Sequence, residues 1–330
     1  MAKPKKKSSS LEHISPRIGR VIKNTGSTYL VRLENGEEVS CRIKGSFRIK
    51  GIRTTNPVAV GDMVEISLRD EETEYITSIL PRKNYIIRRA SNLSKESHIL
   101  GANLDQAILV ASLIDPETPL TFIDRFLATS EAYNVPAKLV INKSDLWDRD
   151  TRELAEAIKA LYDSLGYPTL IVSASTGEGI EQLKEEVKDK ISLMAGNSGV
   201  GKSSLINILA PDACLRTGAV SDQHHTGMHT TTFSEMVDLP EGGQLIDIPG
   251  VKGFGVIDFE AEEVSHFFPE IFRYGRECKY GNCRHIGEPG CAVRPAVEDH
   301  HIAESRYASY LSILEEASEA EGADKYRKAF

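Results

Sequence analysis

The chain has 330 residues, of which 40% are hydrophobic, so it can bury more than one core and we expect two or three domains. It contains no run of about 18 apolar residues, and no hydrophobic stretch follows its N-terminal lysines, which argues against membrane insertion and secretion. The net charge of −8 is unevenly spread, because residues 1–90 carry 18 Lys and Arg against 10 Asp and Glu. This asymmetry favours an N-terminal module that meets a polyanion, although a basic surface that contacts only solvent is the alternative.

The first ninety residues divide into a tail and a strand-rich segment. Residues 1–16 combine a lysine cluster with serines and prolines, and we expect a disordered basic tail. Beyond them, the alternation in 29–33 and 39–43 around the turn Asn35-Gly36 predicts a hairpin.

Two further alternating stretches, Val64–Leu68 and Tyr75–Leu80, bring the segment to about five short strands. This pattern is typical of a small β-barrel, and an oligonucleotide-binding (OB) barrel is the natural candidate, although other small barrels fit as well. Its loop Arg48–Arg53 has the charge needed to contact phosphates.

Beyond residue 91, strands and helices alternate. The sequence predicts strands at 107–113, 137–141, 169–172, 190–195 and 244–246, and helices at 122–133, 152–165 and from Ser203. This order is the signature of a parallel sheet with helices on both faces.

Residues 196–203, Gly-Asn-Ser-Gly-Val-Gly-Lys-Ser, match the phosphate-loop pattern G-x-x-x-x-G-K-[ST] at every fixed position. Glycines allow the tight turns that aim amide N–H groups at phosphates, Lys202 would add charge, and Ser203 would bind Mg²⁺. A chance glycine turn is the alternative, but a strand precedes the loop and a helix follows it. The predicted nucleotide contacts here are Gly196, Asn197, Ser198, Gly199, Val200, Gly201, Lys202, Ser203 and Ser204.

Asn142-Lys143-Ser144-Asp145 directly follows a predicted strand and matches N-K-x-D, the element that reads guanine. The carboxylate of Asp145 can accept hydrogen bonds from N1–H and the 2-amino group of guanine, and adenine offers neither donor. Lys143 would lie along the base, and Asn142 would brace the loop. This tetrapeptide alone is common on surfaces, but beside a phosphate loop it predicts a guanine site and argues against an ATPase or small-molecule kinase.

Three weaker elements complete the nucleotide site. Ser173-Ala174 resembles the S-A-x element, whose backbone touches the guanine carbonyl. Asp247 and Gly250 occupy the fixed positions of D-x-x-G, which holds Mg²⁺ through water and senses the γ-phosphate, although an ordinary proline-glycine turn is the alternative. Either Thr230 or Thr231 would complete the Mg²⁺ shell, and the sequence leaves open which.

The order of these elements is unusual, because N-K-x-D precedes the phosphate loop, whereas ordinary GTPases begin with the phosphate loop. The sequence therefore predicts a circularly permuted domain. Such a permutation is tolerated because every element sits on a loop at the carboxyl edge of one sheet.

The C-terminal part contains the spacing C-x4-C-x-H-x5-C, formed by Cys278, Cys283, His285 and Cys291. Three thiolates and an imidazole complete a zinc tetrahedron, so we expect one structural Zn²⁺ in a reducing compartment, with free buried thiols as the alternative. Around this loop, the pattern predicts that 264–272 form one helical face and that a last helix covers roughly Val297 to Ala317, ending in a polar, frayed segment.

The permuted order together with this cysteine spacing resembles the family of bacterial ribosome small-subunit-dependent GTPases, over residues 17 to about 315. The resemblance implies an N-terminal OB barrel, a circularly permuted α/β P-loop GTPase domain and a C-terminal helical zinc module. We expect these at residues 17–90, 91–257 and 258–330, after the tail 1–16.

The resemblance also implies the activity: a factor that binds the small (30S) ribosomal subunit late in its maturation and contacts 16S rRNA through its outer modules. It would hydrolyse GTP to GDP faster when bound there, and then leave. We expect a cytoplasmic monomer that uses Mg²⁺ with GTP and has no membrane partner.

Catalysis presents a gap, because Val251 stands where Ras-like enzymes place the glutamine that orients the attacking water. The resemblance points to His229 as the replacement, and a histidine that contacts RNA is the alternative. Because position 251 lacks this glutamine, a second function also remains open: a GTP-dependent RNA-binding scaffold with negligible hydrolysis.

Overall fold

The structure is a computed structural model that describes residues 17–43, 57–70, 73–89, 97–213, 234–247 and 259–328. The predicted basic tail 1–16 and the loop Arg48–Arg53 lie outside these ranges. Among the described residues, no helix combines the length and apolar character needed to cross a bilayer.

Five N-terminal strands form a closed barrel. They are β1 (Arg17–Asn24), β2 (Tyr29–Leu33), β3 (Glu38–Ile43), β4 (Met63–Asp70) and β5 (Thr73–Ile79). The strands pair in the order β1-β2-β3-β5-β4, and β4 returns to β1 to close the barrel; only β3 and β5 run parallel. The predicted barrel is confirmed, and its inward-facing side chains, Tyr29 and Val31 among them, form a core of their own.

A hairpin of β6 (Tyr85–Arg89) and β7 (Ser97–Ala102) links the barrel to the next part of the chain. The sequence pattern did not predict it. Its Ile86 and Leu100 are buried in the core of the following domain, so the hairpin is fixed by tertiary packing rather than by a local signal.

The second sheet contains β8 (Gln106–Ser112), β9 (Ala137–Asn142), β10 (Thr169–Ile171), β11 (Ile191–Gly196), β12 (Glu235–Asp238) and β13 (Gln244–Asp247). The order is β10-β9-β8-β11-β13-β12, and every neighbouring pair is parallel except β12–β13. All seven residues of β8 are buried, as expected of a central parallel strand. The predicted parallel sheet is confirmed. The strand β12, which the sequence pattern did not predict, is antiparallel both to β13 and to β1 of the barrel, where Glu235 pairs with Lys23, so this sheet is continuous with the barrel.

Helices cover both faces of this sheet. They are α1 (Leu120–Ala132), α2 (Arg149–Ser164), α3 (Ile180–Val187) and α4 (Lys202–Leu209). One core contains side chains of α1 and α2, and a separate core contains those of α3 and α4. The two cores use alternate residues of β8, such as Leu109 and Val110, because successive side chains of a strand point to opposite faces.

The C-terminal part contains α5 (Pro269–Gly275), α6 (Val293–Glu298) and α7 (Glu304–Lys328), which share a third core with Ala128 of α1. Two helix predictions are wrong here. Residues 264–272 do not form one face, because Phe268 is extended and Pro269 starts a new helix, as proline disfavours a helical residue before it. As a result Phe272 is 44% exposed, whereas Phe268 is buried.

The expected single helix from Val297 to Ala317 is two helices. The chain leaves α6 after Glu298, His300 adopts a left-handed conformation with φ of 59°, and α7 begins at Glu304. This helix also runs to Lys328, well beyond the predicted end.

Candidate nucleotide site and metal centre

The strand register brings the predicted nucleotide motifs to one edge of the parallel sheet. Asn142, the last residue of β9, lies opposite Ser112 at the end of β8, and Gly196 at the end of β11 lies opposite Val110. Asp247 ends β13 and pairs with Met194. Because parallel strands end together, segments that are distant in sequence meet here, as ligand sites of open α/β sheets do.

The phosphate loop between β11 and α4 takes the conformation that its glycines permit. Gly199 and Gly201 have φ of 88° and 90°, in the left-handed region that L side chains rarely adopt. A Cβ on Gly201 would lie 2.2 Å from Nδ2 of Asn142. Glycine is therefore needed at position 201 for its conformation and for the close approach of the guanine-reading loop.

Asn142 connects three of the motifs. Its Nδ2 donates a 2.9 Å hydrogen bond to the carbonyl of Val200 in the phosphate loop, and its Oδ1 accepts one of 3.2 Å from the backbone of Ala174. The side chain is buried. These bonds hold the phosphate loop, the N-K-x-D loop and the S-A-x loop in a fixed relative position.

Asp145, the predicted guanine-reading residue, is exposed and is oriented by Ser173. The hydroxyl of Ser173 donates a 2.5 Å hydrogen bond to Oδ1 of Asp145 and accepts backbone hydrogen bonds from Ser175 and Thr176. Ser173 is fully buried, so the bond holds the carboxylate at a defined place. This side-chain role of Ser173 adds to the backbone contact that the S-A-x resemblance predicts.

Two neighbours of the guanine-reading loop were not predicted. Glu178 accepts hydrogen bonds of 2.5 Å from Ser144 and 2.6 Å from Arg152, and these bonds lower the pKa of its carboxyl group. The carbonyl of Asp115, in the loop after β8, accepts a hydrogen bond from Nζ of Lys143. Neither residue belongs to a local motif, so only the fold brings them to the site.

Lys202 and Asp247 form an ion pair beneath the phosphate loop. The Lys202 side chain is almost completely buried, so the carboxylate supplies the partner that a buried ammonium requires. Ser203 lies next to Lys202 in the first turn of α4. A hydroxyl and a carboxylate are the hard oxygen ligands that Mg²⁺ prefers, so these residues fit the ion. The predicted residues His229, Thr230, Thr231 and Gly250 lie outside the described ranges.

The second candidate site is the cluster of Cys278, Cys283, His285 and Cys291, whose ligand atoms all lie within 4.8 Å of one another. Nδ1 of His285 is 3.5 Å from Sγ of Cys278 and 3.7 Å from Sγ of Cys291. In a tetrahedron with metal–sulfur and metal–nitrogen bonds of the usual zinc lengths, sulfur and nitrogen are about 3.6 Å apart. The four residues therefore fit a tetrahedral zinc ion.

The protonation of these groups also fits a cation. Burial lowers the pKa of His285, which favours the neutral imidazole that a metal needs. Burial and the neighbouring thiols raise the pKa of Cys283 to about 12, so the protein alone does not stabilise a thiolate there. A bound cation would supply that stabilisation. The described cysteines, including buried Cys41 of the barrel, are free of disulfides.

The loop that carries the metal ligands is held by hydrogen bonds around it. The backbone N–H of Ala292 donates to Sγ of Cys278 at 3.3 Å. Glu288 accepts from the backbone of Arg284 at 2.9 Å, and the hydroxyl of Tyr310 on α7 donates to the Arg284 carbonyl at 2.8 Å. The sequence pattern predicted neither of these contacts.

Comparison with known proteins places these sites in context. The model of the family described as RsgA GTPase matches residues 79–257, and that of the RsgA N-terminal domain matches residues 18–76. A relative from Bacteroides fragilis strain YCH46, named small ribosomal subunit biogenesis GTPase RsgA, is 57% identical over 312 residues, which cover 94% of this chain and 99% of the relative.

Two solved structures are similar over nearly the whole chain. The crystal structure of YjeQ from Thermotoga maritima has a TM-score of 0.73 and 36% identity, and the match covers 92% of this chain and 99% of that one. The structure of YloQ, described as a circularly permuted GTPase, has a TM-score of 0.70 and 29% identity, with 95% and 99% covered. The motif order in the present chain agrees with that permutation.

Proposed function

This chain belongs to the RsgA family of GTPases, and we propose that it acts in the biogenesis of the small ribosomal subunit. It binds GTP at the edge of the parallel sheet and hydrolyses it to GDP and phosphate. Hydrolysis is stimulated by the small subunit, and the GDP-bound protein then leaves the particle, in the cytoplasm and as a monomer.

The observation that carries the nucleotide assignment is the hydrogen-bonded connection between the two recognition loops. Asn142 ties the guanine-reading loop to the phosphate loop, and Ser173 holds the Asp145 carboxylate beside them. The loops for base recognition and for phosphate binding are thereby held in a fixed relative position. Such preorganisation lets the binding energy of the base contribute to placing the γ-phosphate.

The catalytic proposal assigns Lys202 to the phosphates and His229 to the attacking water. Ser203 and either Thr230 or Thr231 would hold Mg²⁺, which would supply positive charge to the phosphate oxygens. We expect Lys202 to exchange its ion pair with Asp247 for the phosphates when GTP binds, which would leave the Asp247 carboxylate available as an oxygen ligand for Mg²⁺ or its water. His229, as a neutral imidazole, accepts a hydrogen bond from the water when the subunit positions its segment.

The outer modules make the contacts with 16S rRNA in this proposal. The charge balance of residues 1–90 supports the barrel as one RNA-binding surface. The zinc-binding module is the other, and one structural Zn²⁺, held by Cys278, Cys283, His285 and Cys291, orders its loop.

The test is multiple-turnover GTP hydrolysis by the full chain with purified small subunits, large subunits or neither. We expect stimulation by small subunits only, and a large loss of it in His229→Ala with GTP and subunit binding retained. His224→Ala, a change of the same kind in the same stretch of sequence, is the matched control. Equal turnover in all three conditions would contradict the proposed function, and normal stimulation of His229→Ala would remove that residue's catalytic role.

A further inference from the structure

A cavity of about 370 Å³ opens in the zinc-binding module. Its described lining residues lie between 261 and 310 and include the metal ligands Cys278, Cys283 and His285. None of these residues belongs to the nucleotide site. The volume of the cavity is at the lower end of the roughly 300–1,000 Å³ found for small-ligand sites. It therefore suits a single nucleobase with its sugar rather than a folded segment of a partner protein.

Two large aromatic side chains of this lining face solvent. Phe272 is 44% and Tyr280 45% exposed. The Phe272 ring meets the ring of His266 edge-on, with centroids 4.9 Å apart, and Nζ of Lys279 lies 5.3 Å from the Tyr280 centroid. Exposed aromatic rings with a lysine ammonium close by are an arrangement that proteins use to stack unpaired bases and hold the adjoining phosphates.

The polar groups of the cavity match the rest of a nucleotide. Among the described lining residues, Arg276 and Arg284 contribute two positive charges against the single carboxylate of Glu262, and Asn282 offers both a donor and an acceptor. This excess of positive charge disfavours a basic peptide. The exposed rings beside it favour RNA over an acidic peptide, because every nucleotide brings one base together with one phosphate.

The wall that carries Arg284 is rigid before any ligand arrives. The backbone N–H of Arg284 donates a hydrogen bond to the Glu288 carboxylate, and the backbone carbonyl of Arg284 accepts one from the Tyr310 hydroxyl. Cys283 and His285, on either side of Arg284, belong to the metal cluster. A preformed wall reduces the entropy that binding would otherwise cost.

We propose that this cavity binds one unpaired nucleobase of the ribosomal RNA, stacked on the exposed rings of Phe272 and Tyr280. The inference rests on the proposed function and extends it, since it identifies the part of the small subunit that the zinc-binding module binds. Bases within a duplex are stacked on their neighbours and cannot enter, so the site reads an unpaired nucleotide rather than a helix.

The direct test uses the full, zinc-loaded chain and a fluorescent single-stranded RNA of seven nucleotides containing 4-thiouridine, compared with the same strand in a duplex. We expect Phe272→Leu and Tyr280→Leu, which keep apolar bulk but lose the aromatic face, each to weaken single-strand binding by about 5- to 30-fold. Leu154→Ala removes another exposed apolar side chain, on α2, and should change nothing. Zinc content and melting temperature equal to the wild type exclude misfolding.

Photocrosslinking then locates the base. Crosslinks to peptides that contain residues 272–284 support the inference, and crosslinks confined to the barrel overturn it. Equal affinity of duplex and single strand, or unchanged affinity in both leucine variants, also overturns it.

The same variants separate this inference from the proposed function. If small subunits stimulate the wild type and both leucine variants bind subunits and RNA normally, the nucleobase site is wrong and the function stands. If subunits do not stimulate the wild type but the variants lose single-strand binding, the function is wrong and the site stands. A crosslink of the cavity to a ribosomal protein, obtained with a photoreactive group at Tyr280, would assign it to a protein partner and overturn the inference.

Discussion

Arg306 on α7 donates a 2.8 Å hydrogen bond from Nη1 to Oδ1 of Asp124 on α1, and both side chains are fully buried. The same guanidinium binds Glu270 of α5 at 2.6 Å and lies over the Phe268 ring, 4.6 Å from its centroid. The two carboxylates raise the pKa of Arg306 against the effect of its burial. This ion triad joins α5 and α7 of the C-terminal part to α1 of the GTPase domain.

Replacing Arg306 by Met should destabilise the protein by about 3–5 kcal/mol, because two buried carboxylates lose their cation. Denaturant unfolding of the full chain measures this loss of stability. The matched control is Arg125→Ala, which removes the partly exposed pair between Arg125 of α1 and Glu316 of α7 and should cost about 1 kcal/mol or less. Partial recovery is expected when Asp124→Asn and Glu270→Gln are added. Similar losses for Arg306→Met and Arg125→Ala would contradict the importance of the triad.

The nucleotide and metal motifs could be predicted from sequence because their chemistry depends on short spacings. A phosphate loop needs glycines at fixed positions, and the metal ligands fall within fourteen residues, from Cys278 to Cys291. Arg306 and Asp124 are 182 positions apart, and Glu178 lies 34 positions from Ser144. No local pattern marks such partners.

The errors in helix boundaries have a related origin. Apolar spacing across 264–272 and 297–317 fits a helix, but the third core determines where each helix ends. Ile302, which the pattern placed within a helix, is buried in the break between α6 and α7. Periodicity records which side chains are buried and does not distinguish one helix from two that share a core.

Replacing Asp145 by Asn should lower GTP affinity about 10- to 100-fold, because charge-assisted hydrogen bonds to the guanine N–H groups are lost. The variant should gain affinity for xanthosine triphosphate, whose 2-carbonyl can accept a hydrogen bond from the new amide. Competition binding with both nucleotides measures the change. Asp150→Asn, an exposed substitution of the same kind on α2, is the control, and unchanged preference in Asp145→Asn would remove that residue from base recognition.

Replacing Ser173 by Ala should have a smaller effect of the same sign, since Asp145 keeps its charge but loses the hydroxyl that orients it. A loss of about fivefold in GTP affinity corresponds to one hydrogen bond of about 1 kcal/mol. Isothermal titration with GTP and ATP checks that selectivity for guanine falls as well. An affinity equal to that of the wild type would show that the carboxylate needs no support from Ser173.

Gly201→Ala should abolish tight GTP binding, because the new Cβ lies 2.2 Å from Nδ2 of Asn142 and forces the two recognition loops apart. Gly166→Ala provides a matched control, since Gly166 has the same φ of 90° and its Cβ would meet nothing within 4 Å. Both variants should lose about 1–2 kcal/mol of stability from left-handed strain. Only Gly201→Ala should lose nucleotide affinity, and equal GTP binding by the two variants would contradict the role of the contact.

Removing the metal should unfold the loop between α5 and α6 while leaving the nucleotide site intact. Cys283→Ser takes away one of four ligands, so we expect elemental analysis to show less than one zinc ion per chain and proteolysis to cut within residues 276–292. Chelation of the wild type should have the same effect. Cys41→Ala, which changes a buried cysteine in the barrel core, should keep one zinc ion per chain.

GTP binding should persist in Cys283→Ser, because the described contacts of Asn142 and Asp145 lie wholly within the GTPase domain. A protease-resistant loop without metal would show that hydrogen bonds from Glu288 and Tyr310 suffice to order it.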